Sequence, residues 1–177
     1  VHLCDCMEFM KGIPDKYYEL AIVDPPYFKE YGKANYVGSD ISTSGVRRHK
    51  FESKNWGIPD KEYFNELFRI SGNQIIWGAN YFSDARLFGG AIIWDKKNDK
   101  STFSQCDFAF CSMQTKISIF RFMWNGMLQE NMSDKEDRIH PTQKPVALYK
   151  WLLKNYAKPN DKIFDSHVGS GSIRIAC

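Results

Sequence analysis

The run Leu20 to Asp24 (LAIVD) is apolar at every position but its last, and two prolines close it. A strand with no polar face is buried on both sides, the condition of a strand inside a parallel sheet. Consecutive prolines, lacking N–H donors, forbid its continuation. The same rhythm recurs downstream. Pro59 and Asp60 open an amphipathic helix through about Ser71, followed by apolar strands at Gln74 to Trp77 and Ala91 to Trp94. His2 to Asp5 reads as a short strand, and Cys6 to Gly12 as a helical turn or two. Phe108 to Ser112 and Ile117 to Phe122 alternate like antiparallel strands. Pro145 to Ala157 reads as a helix with Val146, Leu148, Tyr149, Leu152 and Leu153 inward; Pro159 and Asn160 stop it, and Lys162 to Asp165 enters a last strand. Strands alternating with helices predict an α/β fold: a doubly wound, mostly parallel sheet with helices on both faces and an antiparallel hairpin.

The 177 residues, 43% hydrophobic and 25% charged, suit one domain with one core. No apolar run approaches the roughly 18 residues that span a bilayer, and the start lacks an export signal. Cys4, Cys6, Cys106, Cys111 and Cys177 are odd in number and form no CxxC pair, so neither a disulfide framework nor a metal site is expected. A cytoplasmic protein fits these features. The net charge of +3 is too small to hold nucleic acid by itself, so a nucleic-acid site has to be a local patch. The sequence opens at Val1 and stops at Cys177 in what reads as a helix, which suggests a fragment.

Asp24, Pro25, Pro26 and Tyr27 leave the carboxyl end of the buried strand, where open α/β sheets bind ligands. Methylating an aromatic amine requires its delocalised lone pair to be freed, which two acceptors aimed at its N–H bonds accomplish. Asp24 offers a carboxylate and Pro25 a carbonyl on a backbone of fixed φ. The carboxylate also stabilises positive charge growing on the nitrogen, more in the transition state than before it. Tyr27 can stack on a base swung out of the duplex. A bare strand-ending turn whose aspartate bonds backbone N–H groups is the plainer alternative.

A second element is Phe164-Asp165-Ser166-His167-Val168-Gly169-Ser170-Gly171-Ser172, a strand running into a glycine turn and then a helix. Gly169 and Gly171 permit close approach of backbone to ligand, and the helix start offers N–H groups to an anion.

DPPY, then HPTQKP at His140 to Pro145, then FDSHVGSGS, in this order, resemble the β class of DNA amino-methyltransferases. The resemblance spans nearly the whole chain. It implies a Rossmann-like methyltransferase fold with permuted motif order, S-adenosylmethionine (SAM) as cofactor, and DNA with a flipped base as substrate. N6 of adenine is the favoured acceptor, because the family more often has Ser in place of Asp24 for N4 of cytosine. It further implies that Asp5 and Cys6 contact the SAM adenine and that His140, Thr142 and Lys144 lie near the methionine carboxylate. Asp165, Ser166, His167, Gly169, Gly171 and Ser172 complete the expected cofactor site. The family commonly has Pro and Phe where Ser166 and His167 stand.

Between Tyr27 and Gly57 six basic residues, among them Lys33, Arg47, Arg48, Lys50 and Lys54, face three acidic ones, with His49 and several aromatics interleaved. This pattern suits phosphate contact and base stacking. The chain ends before the acidic residue that would take the SAM ribose, about 20 residues past a glycine turn. The strand carrying it is expected to lie between the glycine-turn strand and the N-terminal one, leaving a gap in the sheet and weak SAM binding. A catalytically inert nucleic-acid-binding remnant is thus the reading from a different class.

Overall fold

The computed structural model describes residues 1–27, 57–83, 87–99, 104–124, 128–140 and 142–177, and the backbone alone of 30–31, 54–55 and 125. In chain order the elements begin with α1 (Cys6–Lys11), β1 (Tyr18–Val23), β2 (Glu30–Tyr31), β3 (Lys54–Asn55), α2 (Lys61–Ile70) and β4 (Ser71–Trp77). A 3-10 turn, Ala79–Tyr81, precedes β5 (Gly90–Asp95), β6 (Cys106–Cys111) and β7 (Ile117–Arg121). The short β8 (Trp124–Asn125) and β9 (Leu128–Gln129), then α3 (Val146–Tyr156), β10 (Ile163–Phe164) and α4 (Ser172–Ala176) complete them.

Six strands form one sheet in the order β10-β1-β4-β6-β5-β7. β10, β1 and β4 are parallel neighbours; β6 runs antiparallel to both β4 and β5, and β5 pairs in parallel with β7. This is the expected α/β architecture, but the antiparallel hairpin is β5 with β6 and not Phe108 to Ser112 with Ile117 to Phe122. Side chains on a strand alternate between faces, so β1 feeds two cores. Leu20 and Ile22 pack with Ile75, Trp77, Ile92 and Trp94 under Leu148, Tyr149 and Leu152 of α3 and Ile173 of α4. Ala21 and Val23 face the opposite way, with Ile76, Phe110 and Phe164 under Met10 of α1 and Tyr63, Phe64, Leu67 and Ile70 of α2. The uninterrupted apolar run of β1 therefore serves both faces, and each large side chain buried there contributes about 1.5–3 kcal/mol.

Three expectations change. His2 to Asp5 is not a strand; the Asp5 carboxylate instead caps α1 and ends the extended segment. Ile117 to Arg121 is a strand, but beside β5 and parallel to it, because the preceding link crosses the start of β5. There Gly90 and Ala91 donate to the carbonyls of Gln114 and Lys116, and Gly90 leaves no room for a Cβ. The gap in the sheet does not exist: β10 pairs directly with β1, Leu20 opposite Ile163 and Ala21 opposite Phe164. Any strand carrying a ribose-binding acid would add outside β10, not between the two.

Candidate active site

The carboxyl ends of β10, β1 and β4 lie side by side, and each carries chemistry. Asp24 follows directly on β1, with 17% of its side chain exposed. Its Oδ2 accepts a bond of 2.5 Å from Nζ of Lys144, 120 residues away. The Lys144 ammonium is itself buried and stands 5.4 Å from the centre of the Trp77 ring at the end of β4. The other carboxylate oxygen, Oδ1, is buried and has no hydrogen-bond partner among the described residues. A buried acceptor left without a donor costs on the order of 1–3 kcal/mol, so its presence calls for a reason.

Tyr27 leaves this strand end with its ring stacked on Tyr81, centroids 4.6 Å apart and planes 6° from parallel. Gly78 sits against the same ring. Its φ of +68 is left-handed, and a Cβ there would fall 2.6 Å from Cδ1 of Tyr27. Only glycine meets both demands.

At the end of β10, the Asp165 carboxylate accepts from the backbone N–H of His167 at 2.9 Å. Ser166 Oγ lies 2.6 Å from the Tyr63 hydroxyl and 2.7 Å from His167 Nδ1. Tyr63 comes from the inner face of α2, whose N-terminus Asp60 caps through the Tyr63 N–H. Its buried hydroxyl needs an acceptor, so a chain running Tyr63 O–H to Ser166 to Nδ1 satisfies every hydroxyl and leaves His167 protonated at Nε2. Burial lowers His167 to about 4, which keeps the ring neutral. Burial lifts the Asp165 carboxyl to about 7, against the His167 N–H; nearby Asp24 adds to the rise and Lys144 opposes it.

Gly169 and Gly171 are left-handed at φ +54 and +76, so the turn depends on glycine. The His140 ring borders Gly169: a Cβ on that glycine would lie 3.8 Å from Cε1 and Nδ1 of His140. Thr142 Oγ1 is 3.1 Å from the same Nδ1. Ser172 is buried at the head of α4, its Oγ 2.9 Å from that of Ser170.

Asp5 accepts from the N–H groups of Met7 at 2.8 Å and Glu8 at 3.1 Å, so its Oδ1 is a helix cap. Cys6 is half-buried beside the α1/α2 core, and burial raises its thiol pKa. The fold thus brings Asp24, Lys144, Asp165, Ser166, His167 and the glycine turn together, with His140 and Thr142 at its border. Lys33, Arg47, Arg48, His49 and Lys50 lie outside the described residues, and Lys54 is described only as backbone in β3.

Residues 93–177 match the N6/N4 DNA methylase family model. The chain is 24% identical to the type II methyltransferase M2.DpnII of Streptococcus pneumoniae, an alignment covering 97% of this chain and 77% of the relative. It is 26% identical to the type II methyltransferase M.HinfI of Haemophilus influenzae, over 95% of this chain and 58% of that one. The chain is a relative of the DNA amino-methyltransferases. In structure this methyltransferase relative superposes on M1.HpyAVI, solved as a SAM complex, with a TM-score of 0.54 at 18% identity, covering 98% and 84% of the two chains. The SAM-dependent methyltransferase fold is therefore shared.

Sequence reasoning missed four contributors in this methyltransferase relative: Tyr63, Trp77, Gly78 and Tyr81. Trp77 and Gly78 carried a usable signal, since they stand at and just past the carboxyl end of an apolar strand, where open α/β sheets bind ligands. Tyr63 had none; an inward helix residue looks the same whether it fills a core or holds a turn.

Proposed function

We propose that this chain transfers a methyl group from SAM to the exocyclic amino nitrogen of a DNA base flipped out of the duplex, N6 of adenine. The observation that carries the reading is Asp24 Oδ1, a buried acceptor with no partner among the described residues, on a carboxylate whose other oxygen is held by Lys144. An amino N–H placed against Oδ1 satisfies it.

The residues present fit SAM. Left-handed glycines let backbone approach a ligand closely, and nothing comes within 4 Å of where a Gly171 Cβ would be. Asp165, Ser166, His167, Gly169, Gly171 and Ser172 would hold it, with His140, Thr142 and Lys144 toward the methionine carboxylate and Asp5 and Cys6 toward the adenine. An ammonium has three donors, so Lys144 can serve both Asp24 and that carboxylate. SAM supplies a methyl group activated by a sulfonium.

Asp24 Oδ1 accepts one amino N–H and the Pro25 carbonyl the other, drawing the nitrogen toward tetrahedral geometry. Positive charge developing on nitrogen then lies against a fixed carboxylate, an interaction strengthened in the transition state. Tyr27 stacks on the extruded base, and the basic residues Lys33, Arg47, Arg48, His49, Lys50 and Lys54 contact the phosphates.

Labelled methyl transfer to unmethylated genomic DNA, with nucleoside mass spectrometry of the product, tests this directly. N6-methyladenine is expected, and N4-methylcytosine would reassign the base while keeping the chemistry. Asp24→Ala should reduce transfer at least 100-fold, on the scale of losing a preorganised electrostatic partner, with SAM affinity largely kept. Near-normal turnover by that variant would sink the mechanism.

A further inference from the structure

Trp77 is a residue that the proposed mechanism leaves unused, and its indole carries another buried polar atom without a partner. The side chain is fully buried, and Nε1 has no hydrogen-bond partner among the described residues. The strand register sets its position. Ile22 of β1 pairs with Ile75 of β4 and Val23 with Ile76, so one step further Asp24 comes beside Trp77. Side chains at paired positions of neighbouring strands share a face, and Trp77 packs with Leu20 and Ile22, the face that alternation along β1 assigns to Asp24. Lys144 joins the two, its Nζ 2.5 Å from Asp24 Oδ2 and 5.4 Å from the centre of the Trp77 ring. An ammonium only donates, so it can lie against the ring but cannot take the indole N–H. Trp77 Nε1–H, a donor, and Asp24 Oδ1, an acceptor, therefore stand unsatisfied on adjacent positions and do not bond each other.

We propose that Trp77 is a specificity-determining residue: its indole N–H donates to the ring nitrogen next to the amino group of the target base, while Asp24 Oδ1 accepts from that amino group. The inference rests on the methyl-transfer reading above and names the edge of the base that the site reads. Adenine offers N6–H beside N1 and cytosine N4–H beside N3, in each case a donor next to an acceptor. Either edge satisfies both orphaned atoms. Guanine and thymine present the reverse, a carbonyl oxygen beside a ring N–H. They would set acceptor against acceptor at Asp24 and donor against donor at Trp77, and buried polar groups left unpaired are what give a site its largest discrimination.

The test measures methyl transfer and binding on duplexes whose target base lies opposite an abasic site, so that no target has pairing to lose. Wild-type protein should methylate 1-deazaadenine, which has C–H in place of N1, with a kcat/KM about ten- to a hundredfold below that for adenine, the scale of one buried donor left unpaired. It should treat 7-deazaadenine like adenine. If cytosine is the base methylated, 3-deazacytosine takes the place of 1-deazaadenine. Trp77→Phe, which keeps a ring and removes the N–H, should lose a similar factor on adenine, cease to distinguish adenine from 1-deazaadenine, and bind SAM as the wild type does. The proposal is overturned if the wild type methylates the two bases equally well, a result that requires no variant to fold. It is overturned too if Trp77→Phe keeps the discrimination, or if that variant loses SAM affinity instead, which would put the indole against the cofactor. Absence of methylation of both adenine and cytosine by the wild type would overturn the methyl-transfer reading itself, and so separates the two failures.

Discussion

Asp165 and His167 stand two residues apart and their ionisations are displaced in opposite directions. The unfolded Asp165 ionises near 3.8 and the folded one near 7, so across that interval the folded state holds the extra proton and stability falls as pH rises. His167 does the reverse: unfolded it binds a proton below about 6.5, folded only below about 4, so stability rises with pH between those values. The two slopes offset from about pH 4 to 6.5. His167→Gln removes the rising one, so the melting temperature of this variant relative to wild type should decline steadily across that window; a flat difference would show that the imidazole does not titrate this way. At this scale the place of Asp24 was legible, because it follows a buried strand and precedes two prolines. Its partner Lys144 was legible as a residue and not as a contact, since the expected ligand was a carboxylate of the cofactor and the observed one belongs to the protein. Ser166 and His167, departures from the commoner Pro and Phe, become intelligible only with Tyr63, 103 residues away.

Among elements, α3 shows how a polar segment acquires structure from distant partners. Its N-cap is Pro145, which has no side chain able to bond the helix N-terminus. Glu136 does so from ten residues upstream, accepting the Val146 N–H at 3.0 and 3.2 Å, and buried Gln129 and Gln143 hold the segment in place through the Glu136 and Asp137 carbonyls. Glu136→Ala should cost about 1 kcal/mol, the usual value of a helix cap, read as a lower urea midpoint; Glu136→Gln, which keeps an acceptor, should lose less. An unchanged midpoint in the alanine variant would mean that the bond is not contributing. Side-chain amides bonding backbone at a distance leave no periodic trace in a sequence. The strands of the main sheet were legible from apolar runs, but their partners less so. Alternation in Ile117 to Arg121 reports one exposed and one covered face; it says nothing of whether the neighbour runs alongside or against.

For the molecule as a whole, the proposed function with a net charge of only +3 would place the burden of DNA attraction on the segment between Tyr27 and Gly57. Each phosphate neutralised contributes about −0.9 to the slope of log affinity against log salt, so three to six contacts from that segment give a slope of about −3 to −5. A titration of binding against salt measures it, and a slope near zero would remove the segment from the interface. The sheet order also explains what could not be read at this scale. The permuted motifs told which strands exist, but that β10 lies directly against β1 is a property of packing, and it closes the site by joining the two ends of the sequence. That junction has a cost in time. The 120 residues between Asp24 and Lys144 take roughly 6 to 24 seconds to synthesise at about 5–20 residues per second. Throughout that interval the nascent chain holds β1, joined part-way by β4, but neither the lysine nor the glycine turn, so the carboxylate at the end of β1 is made early and meets its partner last.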